Sequence, residues 1–325
     1  MKHRFAKWGL ALALLGPAGP GVASDKDDPV AMLERMSSAM SQMSYQGTFV
    51  YVQGDKVDTM RITHVADQHG IRERLVAVSG APREILRDSS GVRWVLADDH
   101  SVFEDSGFNI SFFPELPLDQ HGRTELSYSM KTGSSERIAG HRARNIEVLP
   151  RDHFRYGYSL WLEEHSGLLL KWELIDQDKK PLAKLMFTDL RLGSEVDGKE
   201  LRTTSQLKMF KKTASDLPAG RGHSNARPKW LPGNLPPGFK MTGHRFFGEE
   251  GEGMYEHLIY SDGLAAVSVY VESISEQSGV EAGISRMGTT HAFSRVTDDM
   301  LITVVGDVPA VTVQSIGESV SIVDP

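Results

Sequence analysis

From Gly47 onward the chain is written with a period of two. TFVYVQ, VDTMRITHV, IRERLVAV, PREILRD, VRWVLA and HSVFE follow one another, with short turns such as QGDK between the first two. ELSYSM, NIEVLP, YSLWLEE, LLLKWELID, PLAKLMFTDLRL and QLKMF continue the series. Strands this closely spaced pair antiparallel, because a parallel crossover needs about a dozen residues or more. So many strands rarely stay flat, and the sheet is expected to be curved or partly closed.

One helix precedes the strands. Asp28 is placed as its N-cap and Pro29 at its first position. Met32, Met36, Met40 and Met43 share one face, while Ser37, Ser38 and Ser41 lie between them. Two readings stay open. The methionines fill gaps between helix and sheet, or Met36 and Met40 form a soft lid over an apolar cavity.

At residues 211–229 the pattern stops. Lys211, Lys212, Arg221, Arg227 and Lys229 stand there against Asp216 alone, which reads as a basic flexible linker. Strand patterns resume with KMTGHRFF, MYEHLIYSD, LAAVSVYVES, TTHAFSRV and MLITVVGD, and PAVTVQSIGESV reads as a short helix starting at Pro309. Residues 230–325 carry four basic and thirteen acidic side chains, so charge breaks where pattern breaks. A chain of 325 residues exceeds what one core usually serves. The expected division is a first domain at 24–210, a linker at 211–229 and a smaller second domain at 230–325.

Residues 1–23 read as a secretory signal. Lys2, Arg4 and Lys7 precede the apolar run Trp8 to Leu15, and Gly21-Val22-Ala23 supplies small residues for cleavage before Ser24. The run is too short to span a bilayer. The formal charge of −7 becomes −10 without these residues, which argues against electrostatic nucleic-acid binding. There is no cysteine, so both cores must form without disulfides in an oxidising compartment.

Catalytic signatures are missing. The sequence has no HExxH, no GxSxG and no phosphate-cradling glycine loop. The GEEGEG run at 248–253 carries three glutamates that would repel a phosphate, so it reads as a turn. His64 and His69 flank a probable turn, but no second ligand cluster supports a metal pair. Glu163-Glu164-His165 closes a strand before Ser166-Gly167, which is turn chemistry. The expectation is a binding protein, not an enzyme, with no cofactor.

Aromatic residues are the better clue. FNISFFPELPLDQHG, residues 108–122, is apolar yet irregular, so it either tucks into a core or rims a cleft. Phe112, Phe113 and Leu116 are placed at a cavity mouth. Trp94, Trp161 and Trp172 are candidates for its wall, with their facing left open by alternation. RPKWLPGNLPPGF, residues 227–239, holds four prolines that limit the backbone freedom lost on docking. Trp230 and Phe239 would dock it as the first ordered piece of the second domain. Trp230, Phe239 and Tyr260 either build or border a partner-binding region, or are plain core.

Five runs in order carry a family resemblance: GAPREILRD (80–88), SLWLEEHSGLLLKWELID (159–176), RPKWLPGNLPPGF (227–239), YSDGLAAVSVYV (260–271) and VVGDVPAVTVQSI (304–316). With the exported N-terminus, the chain resembles the RseB/MucB family of periplasmic sigma-factor regulatory proteins. The resemblance implies an α+β protein. Its first domain would be a LolA-like, unclosed antiparallel β-barrel wrapped around helices, and its second a smaller α+β domain. It implies binding to the periplasmic segment of a membrane anti-sigma factor, shielding that segment from a stress protease. Release would follow lipid-bearing signals such as lipopolysaccharide or lipoprotein acyl chains. On this reading the first concavity senses an acyl chain and the second domain grips a peptide. A periplasmic lipid or lipoprotein carrier is the alternative. A homo-oligomer is compatible with either.

Overall fold

The computed structural model describes residues 28–96, 101–105, 113, 127–193, 196, 198–201, 211–212, 227–249, 252–274 and 282–323. Helix α1 spans Pro29–Gln42, and the Asp28 carboxylate accepts hydrogen bonds from the Val30 and Ala31 amides, as its N-cap position predicts. Eleven strands follow: β1 (Tyr45–Gln53), β2 (Lys56–Asp67), β3 (Gly70–Ala77), β4 (Arg83–Asp88), β5 (Gly91–Leu96), β6 (Ser101–Asp105), β7 (Tyr128–Ile138), β8 (His141–Pro150), β9 (Gly157–Glu163), β10 (Leu169–Ile175) and β11 (Pro181–Leu192).

With β12 (Lys211–Lys212) they form one sheet, in the order β12-β6-β5-β4-β3-β2-β1-β11-β10-β9-β8-β7. Its two ends, β12 and β7, do not meet, so the barrel is unclosed. All pairings are antiparallel except β12 with β6, where Lys211 and Lys212 pair parallel to Ser101 and Val102. Those two lysines are therefore sheet residues, not the start of a free linker. A register shift between Thr48 and Phe49 bends β1 against β11.

The sheet closes around α1. Met32, Leu33, Met36 and Ala39 are buried together with Phe49, Ile62, Leu75, Ile146, Leu160, Leu170 and Phe187. Of the two readings of the methionine face, the structure supports the first for Met36. It is 1% exposed and is core rather than lid, while Met40 is only partly buried against that core.

The second unit pairs β14 (Lys240–Glu249), β15 (Glu252–Ser261), β16 (Ala266–Ser273), β17 (Gly283–Met287), β18 (Thr290–Thr297) and β19 (Met300–Gly306) in the order β14-β15-β16-β19-β18-β17. Helix α2 (Ala310–Ser319) begins after Pro309, as read from the sequence, and packs on β18 and β19. A two-stranded ladder joins β13 (Trp230–Pro232) to β20 (Val320–Ile322). Leu258, Val267, Val269, Ile302, Val304, Val313 and Ile316 are wholly or almost wholly buried between helix and sheet. The GEEGEG run connects β14 to β15, with Glu249 paired to Glu252. The signal segment, Phe112, Leu116 and the strand expected at 206–210 lie outside the described residues.

Candidate functional site

Two places were expected to carry function: the concave face of the first sheet and the second unit. Strand register decides which way each candidate points, since side chains alternate between faces. On β1 and β2, Phe49 pairs with Met60 and Tyr45 with His64, and all four side chains are buried. Phe113 sits against this row. It meets Phe49 and Tyr45 edge-on at 5.6 and 6.4 Å and stacks on Phe187 at 5.9 Å. At 4% exposed it plugs the concavity instead of rimming its mouth. An apolar ring in an irregular segment gains most by entering the nearest core, and here that core is the hollow itself.

The tryptophans divide. Trp172 pairs with the buried Leu160 and Leu185 and so stands on the inner face, tilted against Tyr51 at 6.0 Å. Trp161, also partly buried against the first unit's core, has the opposite parity to Trp172. It pairs with Lys171 on the opposite face, where the Lys171 ammonium lies 3.6 Å from its ring centroid. Trp94 is in register with the buried Ile85, and its side chain lies outside the described residues.

His64 and His69 occupy unlike places. His64 is buried and stacks on Tyr45 at 4.6 Å, while His69 is exposed beside Asp67 at a turn. The Glu163 carboxyl accepts from the Ser166 amide and hydroxyl and from the His165 amide. Burial pushes this carboxyl up, but those hydrogen bonds outweigh it and hold it below the usual carboxylate range. That is a turn built around one acid, as the sequence suggested.

In the second unit, Trp230, Phe239 and Tyr260 are 6, 5 and 2% exposed. They are core residues and present almost no surface to a partner. Phe239 has a further role, because it borders the place where the two units meet.

That junction is what sequence reasoning missed. The loop between β8 and β9 carries Arg155 into the second unit, where its side chain is fully buried. The guanidinium bonds Asp262 through Nη1, the Pro237 carbonyl through Nη2 at 2.6 Å, and Asp152 through Nε at 3.0 Å. It also stacks over the rings of Tyr128 and Phe239. Asp262 accepts from the Tyr128 hydroxyl at 3.0 Å and from the Leu264 and Ala265 amides. Burial, and then the Asp262 carboxylate, push the Tyr128 hydroxyl well above its ordinary pKa, so it stays a donor.

Insertion is reciprocal. Leu264, two residues beyond Asp262, is buried in the first unit's core. Thr312 of α2 donates to the Phe154 carbonyl at 2.6 Å, and Gln53 to Thr289 at 2.8 Å. Gly238 has a φ of +87°, and a Cβ there would lie 2.7 Å from the Ser127 hydroxyl, so only glycine fits without strain. No signal in RDHFRYG or YSDG distinguishes these residues from ordinary turn residues, because the partners lie 107 positions apart.

The chain matches the MucB/RseB N-terminal domain over residues 28–205 and the MucB/RseB C-terminal domain over residues 224–321. It belongs to the MucB/RseB family. It is similar to the sigma factor AlgU regulatory protein MucB of Pseudomonas aeruginosa, 30% identical over 319 residues, covering 95% of this chain and 96% of that protein. It is also similar to the sigma-E factor regulatory protein RseB of Escherichia coli strain K12, 23% identical with 89% of each covered. The crystal structure of MucB in complex with MucA(peri) superposes with a TM-score of 0.70 and 28% identity, over 92% of this chain and all of that one. For this MucB/RseB chain, then, the overall fold corresponds to one solved with a partner bound.

Proposed function

We propose that this chain is a periplasmic negative regulator of an envelope-stress sigma factor, and that it acts by holding the periplasmic segment of a membrane anti-sigma factor. The observation that carries this reading is the full-length correspondence with MucB as solved in complex with MucA(peri). The signal-like pattern read in residues 1–23 supports the compartment. Among the described residues no helix is long and apolar enough to cross a membrane. Holding the segment shields it from protease. Incubating the purified chain with that segment and a stress protease should slow cleavage in proportion to occupancy. Cleavage at an unchanged rate would overturn the reading.

Lipid-bearing signals enter this scheme through the plug. Burying a phenylalanine contributes about 1.5–3 kcal/mol, and each acyl methylene about 0.8 kcal/mol. Four methylenes therefore offset the displacement of Phe113, and longer acyl chains exceed it. Among the described residues the concavity is filled by side chains, which favours the regulator over a carrier with a standing cavity for cargo.

A further inference from the structure

Among the described residues, the second sheet ends in a strand that no other element covers. Every residue from Ala282 to Gly288 is exposed, with Met287 at 75% and Ile284 at 49%. Helix α2 packs on β18 and β19, and β17 projects beyond that layer. Proteins usually blunt such an edge with proline, lysine or a covering segment. Residues 282–288 contain neither proline nor lysine.

The hairpin geometry says which backbone groups face outward. Met287 pairs with Thr290 across a two-residue turn, and Gly288 has a φ of +64° at its first central position. Met287, Ser285 and Gly283 therefore direct their amides to β18, while the N–H and C=O of Ile284 and Arg286 point to the open edge.

That edge runs into a cleft of about 580 Å³ between the two units. Val52, Pro181, Leu182 and Ala183 of the first unit line it with apolar atoms, and Lys184 and Arg286 add positive charge. Beneath Ala183 and Leu182 lies a small cluster of Tyr156, Leu174, Tyr51 and Trp172. Asp307, close by, accepts from the Thr289 and Thr290 hydroxyls and keeps its negative charge, so the two lining cations outnumber it there. In a chain of net charge −7, an apolar cleft with two cations on its lining is matched to an acidic occupant.

We propose that the β17 edge is a docking strand for an extended, acidic and apolar peptide segment. This segment adds antiparallel or parallel to Ile284–Arg286 and places an apolar side chain in the junction cleft. The occupant is part of the anti-sigma factor's periplasmic segment, so the proposal rests on the function proposed above. Main-chain bonds supply affinity, and the cleft with Lys184 supplies selection.

Titration of the purified full chain with that periplasmic segment tests it. Ile284→Pro removes the outward N–H and leaves the β17–β18 ladder intact, so binding should weaken about tenfold with an unchanged melting temperature. Lys184→Glu alters an exposed side chain and should also weaken binding, less so at high salt. Hydrogen exchange should show the Ile284 and Arg286 amides slowed by the segment. Tight binding by both variants, with those two amides unprotected, overturns the edge proposal and leaves the regulator standing. If the unmodified chain captures no segment, both fall. If Ile284→Pro unfolds the unit, Lys184→Glu and the exchange pattern of the unmodified chain decide.

Discussion

Asp262 and Glu256 are both buried acids on the same stretch of the second unit, and they are treated differently. Asp262, just past the end of β15, meets Arg155, the Tyr128 hydroxyl and two amides. Glu256, within β15, binds His244 at 2.7 Å and the Lys229 amide at 3.0 Å through one oxygen, while its other oxygen has no partner among the described residues. The Tyr260 hydroxyl nearby is likewise buried with no partner among the described residues, and burial followed by Glu256 pushes its pKa up to about 12. A satisfied network specifies one arrangement, whereas a half-satisfied one leaves free energy to be recovered by rearranging. The junction between the units is thus the fixed point of the molecule. Where the chain re-enters the second unit at Lys229, the buried acid is held through one oxygen only.

The sharpest way to break this contrast is Arg155→Met. It strands the Asp262 carboxylate in a buried site, at a cost of about 3–5 kcal/mol. Urea melts followed by probes in each unit should separate into two transitions, because the latch no longer couples them. The double variant Arg155→Met/Asp262→Leu should recover much of the loss. A single variant that melts as the unmodified chain does would show that apolar contacts such as Leu264 hold the units together alone.

Gly238→Ala probes the same latch more gently. The substitution meets both the +87° φ and the Ser127 hydroxyl, and should cost about 1–3 kcal/mol. Adding Ser127→Ala should relieve the clash and leave the backbone term, so thermal melts of the two variants partition the two.

Much of the fold was legible and little of the junction was. Period-two runs exposed the strands, and Asp28-Pro29 and Pro309 marked the two α-helices of the described residues, because local chemistry sets these features. Alternation fixes parity but not which parity faces inward. Trp161 and Trp172 were therefore indistinguishable until pairing with Lys171 and Leu160 separated them. Phe113 read equally as core or rim, because an irregular segment has no period to orient it. Trp230 and Phe239 docked as expected, but as core. Arg155 escaped notice because a turn arginine is normally solvated, and its acid comes from the other unit.

A third buried group extends the comparison to pH. His257 is 1% exposed, stacked on Tyr270 at 4.3 Å and bonded to Ser268. Burial, and then the charge of Arg245, lower its pKa to about 4. Between the ordinary histidine value near 6.5 and 4, the unfolded chain takes up a proton that the folded chain does not. Stability is therefore complete above that window and falls as pH drops through it, by at most about 1.4 kcal/mol per pH unit. Urea midpoints at pH 7 and pH 5 should differ, and His257→Phe should flatten the difference. An unchanged slope in that variant would assign the pH dependence to other groups.

The smallest effect is the one that tests the half-satisfied acid. Glu256→Gln keeps an oxygen for the His244 ring and the Lys229 amide and removes a buried charge whose second oxygen has no partner among the described residues. Losing the charge weakens the bond to His244, while losing its desolvation penalty stabilises the fold. These oppose, so the net change should stay within about 1 kcal/mol. Asp262→Asn, the same chemical change, removes the counter-charge of a fully buried arginine and should cost several times more. The ratio of the two costs, read from urea melts under one buffer, measures how differently the two acids are held. Equal costs would mean that both carboxylates are equally satisfied.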